Sequence, residues 1–356
     1  IFIISDPNLS KIGLYNNLVD HLKSKGIKIK IYDKINEDPS IENLQSALAE
    51  ATIFLTTGIL GFGGGSPMDV AKLTSLLLGS NDNIDEIWGV NKVEGPRLPL
   101  VLIPTTAGTG SEVTPISIIT MSNKEKKGVS SKVIIPDLAI VDSILTLNLP
   151  SKTTASTGID AMVHAIEAYT SKSKNNNIIS KALAEKALKL MGDSIIQAVE
   201  NGKNDIQARN KMLLGSLMAG ISFANSPVAA VHALAYPLGG TFHIPHGLSN
   251  ALVLSEVLKF NASDRKAAKV YANLAQIVCP SAKKSASDYS EALRFSQYFK
   301  ALSKSLGLPV RLRDLNIPKD ALKKLAEDAM RQTRLLVNNP RKMNEDDALK
   351  IYQSVW

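Results

Sequence analysis

One cysteine, Cys279, stands in 356 residues. That excludes a disulfide framework and any zinc cluster built on thiolates, and it fits a reducing compartment. Aromatic residues are scarce at 5%. No stretch approaches the roughly 18 consecutive apolar residues that a membrane-spanning helix needs. The opening Ile1-Phe2-Ile3-Ile4-Ser5-Asp6 has neither the basic start nor the small-residue cleavage site of a secretory signal. A cytoplasmic protein with no membrane partner is therefore expected. The chain also begins without Met, inside a run that reads as a strand, so a native segment ahead of Ile1 is expected.

What is present is ordinary for a globular protein: 44% hydrophobic and 21% charged residues, which excludes disordered and collagen-like classes. The length predicts two domains of roughly 100–200 residues each. Net charge is +8, from 41 Lys+Arg against 33 Asp+Glu. The excess is scattered, with a mild concentration between 300 and 342 that reads as a solvated helical face, so no nucleic-acid partner is expected.

Residues 1–149 alternate short β-branched runs (1–5, 27–32, 53–61, 98–104, 116–121, 132–135 and 138–141) with segments of helical period (8–25, 40–51 and 67–78). This predicts an α/β domain with a Rossmann-like, largely parallel sheet, whose ligands bind beyond the carboxyl ends of the strands. Residues 150–356 are Ala-, Leu-, Lys- and Glu-rich and predict an all-α domain. Its helices are placed at 151–170, 177–200, 205–224, 248–258, 264–278, 289–306, 319–330 and 344–355. Leu149-Pro150-Ser151 marks the boundary, with Pro150 ending extended structure and Ser151 a helix cap.

Two loops suit a nucleotide. Gly61-Phe62-Gly63-Gly64-Gly65-Ser66-Pro67 joins a strand to a helix, so glycine backbone and an open helix N-terminus face one point, as pyrophosphate binding requires. Ser66 stands where the third glycine of Gly-x-Gly-x-x-Gly would be, and a plain tight turn is the alternative. Thr105-Thr106-Ala107-Gly108-Thr109-Gly110 follows the next strand and offers hydroxyl donors with little bulk. Asp6, ending the first strand, reads as a ribose acceptor that would disfavour a 2′-phosphate, or as the cap of the helix that follows.

Of five histidines, His21 lies in a Lys-rich amphipathic segment and reads as surface. Asp160 and His164 are four apart on a helix whose face is otherwise small or apolar. His232 is embedded in Ala, Val and Leu, and His246 sits between Pro245 and Gly247. Four polar side chains in two apolar motifs are costly without partners. One carboxylate with three imidazoles makes a shell for a divalent Fe(II) or Zn(II) ion.

These motifs resemble the iron-containing (group III) alcohol dehydrogenases: Gly63-Gly64-Gly65-Ser66-Pro67-x-Asp69, Pro104-Thr105-Thr106-Ala107-Gly108-Thr109, Gly158-x-Asp160-Ala161-x-x-His164-Ala165-x-Glu167 and Pro245-His246-Gly247. The resemblance spans nearly the whole chain. It implies a dinucleotide-binding domain and a helical domain with the active site in the cleft between them, a strand segment ahead of Ile1, and a homodimer. It implies that Asp160, His164, His232 and His246 ligate the metal, and that Gly63, Gly64, Gly65 and Ser66 hold the pyrophosphate, with Asp69 of the same motif among the cofactor contacts. It further implies that Asp6 reads the ribose, that Thr105, Thr106 and Thr109 line the nucleotide site, and that Lys126, or Lys127 beside it, contacts the cofactor.

The expected activity is reversible hydride transfer between NAD(H), rather than NADP(H), and a small alcohol or its aldehyde or ketone. Many family members carry a histidine where this chain has Tyr236, so the proton relay is expected through Tyr236 or His243. Phe223, Val228, Phe242 and Leu335 are the candidates for the substrate pocket. The alternative is a dehydroquinate-synthase-like lyase. Lys181, Lys186, Lys189, Lys203, Arg209 and Lys211 read as exposed helix positions, which leaves such a lyase few cations for a phosphorylated substrate.

Overall fold

The computed structural model describes residues 1–122, 125–280 and 286–356. They divide into two units, Ile1–Thr146 and Leu147–Trp356, with the break just ahead of Pro150.

In the first unit, β1 (Phe2–Ile4) leads through α1 (Pro7–Lys11) and α2 (Asn16–Ser24) to β2 (Lys30–Tyr32). Then follow α3 (Ile41–Ile53), β3 (Ile59–Gly63), α4 (Gly65–Gly79), β4 (Gly89–Val90), β5 (Leu100–Pro104), β6 (Ile116–Thr120), β7 (Lys126–Ser130) and β8 (Leu138–Ala139). The main sheet is parallel throughout in the order β2-β1-β3-β5-β8. Its strand direction of growth reverses between β1 and β3, and ligands of such sheets bind at that crevice.

Both faces of the sheet are buried, as alternation along the strands dictates. Phe2, Ile4, Ile59, Leu100 and Leu102 join α3 and α4 residues in one core, while Ile3, Leu60, Phe62 and Ile103 join Tyr15 and Val19 in another. A small second sheet pairs β6 with β7 antiparallel and β7 with β4 parallel.

Several segments differ from the sequence reading. Residues 53–58 do not extend the third strand, because Ile53 ends α3 and Leu55 takes a left-handed conformation at φ 56. The helix expected over 8–25 breaks at Gly13 (φ +64), and residues 132–134 form a 3-10 turn. The polar strand β7 carries no apolar alternation to betray it.

In the second unit, α5 (Ser151–Thr170), α6 (Ile178–Gly192), α7 (Ile195–Glu200), α8 (Ile206–Asn225), α9 (Ala230–Phe242) and α10 (His246–Asn261) precede α11 (Arg265–Val278) and α12 (Asp288–Ser305). The chain ends in α13 (Ala321–Met330), α14 (Thr333–Leu336) and α15 (Glu345–Ser354). Helix α5 is the hub, packed against α6, α8 and α10. Gly158 lies close under α8, where a Cβ would stand 2.8 Å from the mobile end of Met212.

Arg209, read from sequence as exposed, is buried. Its guanidinium donates to the carbonyls of Leu147, Leu149 and Gly202 and to Thr154 Oγ1, locking the start of α5. Among the described residues no single helix is long and apolar enough to cross a membrane, and α8 and α9 pass that test only as a pair bent by 105°.

Candidate functional site

In the first unit the two expected loops lie against each other at the carboxyl ends of β3 and β5. Gly63 has φ +150, and a Cβ on it would stand 2.9 Å from Pro67 Cγ. A Cβ on Gly65 would stand 2.9 Å from Thr109 Cγ2, so glycine is what lets the second loop close over the first. Thr106 lies 3.6 Å from the position of a Gly64 Cβ, and the Thr105 amide donates to Gly63 O at 2.9 Å. Helix α4 starts from Gly64 with no side-chain cap, leaving its first amides for an anion. Ser66 sits in its first turn, half-buried.

Asp6 follows β1 by two residues, at the sheet's switch point. Its Oδ1 accepts from the amides of Asn8 and Leu9 and so caps α1; those bonds leave Oδ2 outside the cap. Asp69, expected among the cofactor contacts, braces the second loop from within. One oxygen accepts from Ser111 Oγ at 2.6 Å and the other from the Ile118 amide at 2.9 Å. Beneath it the buried Lys72 donates to Ser111 Oγ, Thr114 Oγ1 and Ile116 O. Burial drives the Lys72 ammonium down to about 8 and the neighbouring Glu112 carboxyl up to about 7. Lys126 on β7 pairs with Asp38.

In the second unit four side chains converge. Asp160 and His164 project one turn apart from α5, His232 comes from the first turn of α9, and His246 opens α10. One ligand atom from each lies within 4.8 Å of every other. Oδ1 of Asp160 is 3.9 Å from His232 Nε2 and 3.7 Å from His246 Nε2. That is the scale of two atoms sharing one ion at about 2 Å each. Burial pushes the Asp160 carboxyl up, but the imidazoles of His246, His164 and His232 and the Asn250 hydrogen bond outweigh it and hold it below its ordinary value.

The rings form a row. Phe223 stacks on His164 with centroids 4.4 Å apart, His164 stacks on His232 at 4.8 Å, and His246 follows at 5.3 Å. Tyr236, one turn beyond His232 on α9, places its ring 6.0 Å from that of His246. His243 stands apart from the ligand group. It is exposed and left-handed (φ 54), and it closes α9 where Pro245 turns the chain into α10. The relay expected through it therefore gains no support from the geometry, whereas Tyr236 stays beside the ligands.

Two residues of the site had no role assigned from sequence, Glu167 standing there only as the end of a motif. Glu167, buried, accepts from the amides of Ala229 and Val231 and from His232 Nδ1 at 2.7 Å. Asn250, fully buried, donates from Nδ2 to Asp160 Oδ1 at 2.6 Å and stands 3.3 Å from Nε2 of both His232 and His246. Its Oδ1 has no hydrogen-bond partner among the described residues. The helical spacing from His164 to Glu167 and from His246 to Asn250 was the available signal.

The site chemistry fits a divalent cation. A buried carboxylate oxygen and imidazole nitrogens, all of them able to ligate a metal, gather around one point.

Residues 154–356 match the Fe-containing alcohol dehydrogenase family, C-terminal, and residues 1–143 match Iron-containing alcohol dehydrogenase. The chain is 38% identical to long-chain-alcohol dehydrogenase 1 of Geobacillus thermodenitrificans, over 100% of this chain and 89% of that protein. It superposes on a 1,3-propanediol oxidoreductase with a TM-score of 0.93 at 32% identity, covering 100% of this chain and 91% of the other. A sulfoacetaldehyde reductase from Bifidobacterium kashiwanohense, solved in complex with NAD+, gives 0.87 at 26% identity, over 99% and 90%. The chain belongs to the iron-containing alcohol dehydrogenase family, and this decides between the dehydrogenase and lyase readings in favour of an oxidoreductase acting on alcohols and aldehydes.

Proposed function

We propose that this protein reversibly transfers hydride between NAD(H) and a small alcohol or its aldehyde or ketone, with Fe(II) or Zn(II) held by Asp160, His164, His232 and His246. The observation that supports this most is the approach of those four ligand atoms to within 4.8 Å of one another. When bound, the ion supplies Lewis acidity at the substrate oxygen and the nicotinamide supplies the hydride acceptor. The donor set, three nitrogens and one carboxylate without sulfur, suits both metals.

The chain's own residues bind and orient. Gly63, Gly64, Gly65 and Ser66 offer backbone donors to a pyrophosphate at the start of α4, and Thr105, Thr106 and Thr109 line the adjoining loop. Asp6 accepts the ribose hydroxyls, and its negative charge favours NAD over NADP. Lys126 reaches the cofactor once its pair with Asp38 opens. Asp69 and Lys72 hold the second loop in place. Tyr236 exchanges the alcohol proton with solvent. Its hydroxyl does this as a relay, the oxygen accepting the alcohol proton while its own O–H proton passes to water.

The test is NADH absorbance with short alcohols and diols after metal removal, with Fe(II) or Zn(II) then added back. Metal-dependent NADH formation that disappears in the His232→Ala/His246→Ala double variant supports the reading. NADH formed equally without metal contradicts it.

A further inference from the structure

The buried carboxylate of Glu167 faces three donors. Oε2 lies 2.9 Å from the Ala229 amide and 2.7 Å from His232 Nδ1, while Oε1 lies 2.6 Å from the Val231 amide. Amides can only donate, so both oxygens must accept. An ionised Glu167 has no proton to donate, so the ring nitrogen facing Oε2 then carries one. A neutral imidazole protonated at Nδ1 presents its Nε2 lone pair, and Nε2 is the atom that faces Asp160. Helix α9 begins at Ala230 with no cap from its own side chains, and Glu167, reaching across from α5, supplies that cap as well.

We propose that Glu167 is the positioning residue of the metal site: it fixes His232 in the tautomer and orientation that present Nε2 to the ion, and it sets metal affinity through that contact. The inference rests on the reading that the four-residue group holds a divalent ion. Carboxylate partners of ligating histidines act in this way generally, and their loss weakens metal affinity by about 10–100-fold. Glutamine cannot substitute. It brings one acceptor and an NH2 group to three donors, so one hydrogen bond is lost and Nδ1 is no longer obliged to stay protonated.

The experiment measures Zn(II) affinity by chelator competition for the full chain, for Glu167→Gln, and for both in a His232→Ala background. Nitrogen NMR of the metal-free wild type reports the His232 tautomer. The expected result is a proton on Nδ1 in the wild type, and about 10–100-fold weaker Zn(II) binding in Glu167→Gln. That loss should largely vanish when His232 is already gone. Equal affinity in Glu167→Gln, the same loss in both backgrounds, or a wild-type proton on Nε2 each overturns the proposal, since a carboxylate that only caps α9 gives those results. Should Glu167→Gln fail to fold, the wild-type tautomer still decides. If the wild type itself takes up no Zn(II) or Fe(II), the metal reading falls first, and that outcome is distinct from wild type and variant binding alike.

Discussion

Gly247 lies against Ser156 so closely that a Cβ on the glycine would overlap the serine carbonyl oxygen, and it would stand 3.2 Å from Asp160 Cβ. This contact between α10 and α5 is what brings His246 next to Asp160. Its obstacle is backbone rather than a flexible side chain, so it cannot yield locally. Gly247→Ala should therefore push the start of α10 off α5 and open the ligand group. The expected outcome is a stability loss of about 1–3 kcal/mol, the range for overpacking, with Zn(II) binding weakened at least tenfold or so, since about 1.4 kcal/mol is one decade. Thermal melting and chelator competition measure the two. Unchanged affinity would separate the glycine from the site.

The parallel α/β unit, the helical unit and the four candidate ligands were legible in the sequence because each rests on a local pattern. Asp160 and His164 reveal a shared helical face by spacing alone, and Gly63-Gly64-Gly65 followed by Pro67 announces a strand–helix turn. The roles of other residues depend on what the chain places opposite them. Asp69 belongs to the same motif as the glycines, yet Ser111 and Ile118, brought in by later strands, claim both of its oxygens. Arg209 looked exposed because three of its four partners are backbone carbonyls, which no sequence pattern displays. Glu167 closes a quoted motif, yet its role was not legible for the same reason: two of its three partners are amides.

Asp6 carries the nucleotide preference in this account. Asp6→Asn keeps a side-chain oxygen able to cap α1 but removes the negative charge that repels a 2′-phosphate. The ratio of kcat/KM for NAD over NADP should fall by about tenfold, roughly 1.4 kcal/mol, with little change in melting temperature. Steady-state kinetics with both cofactors checks it; an unaltered ratio would reduce Asp6 to its capping role.

Glu112 gives the first unit a pH dependence. Burial raises its carboxyl from 4.5 to about 7, against the lowering effects of its own backbone hydrogen bond and of Lys72. The folded state thus binds the proton more tightly than the unfolded chain. The associated stability is complete below about pH 4.5 and is lost as pH rises through about 7, a change on the order of 3 kcal/mol. Glu112→Gln cannot ionise, so its stability relative to wild type should improve between pH 5 and pH 8. Denaturant unfolding of both proteins at the two pH values tests the sign, and a constant difference would contradict it.

The central claim is that Asp160, His164, His232 and His246 hold one divalent ion. X-ray absorption at the metal edge of the Fe(II)- or Zn(II)-loaded protein addresses it directly. The expected result is one ion per chain in an oxygen and nitrogen shell at about 2.0–2.2 Å, with the outer-shell signature of imidazoles and no sulfur. An ion bound without imidazole scattering, or a chain that retains no stoichiometric metal, would contradict it.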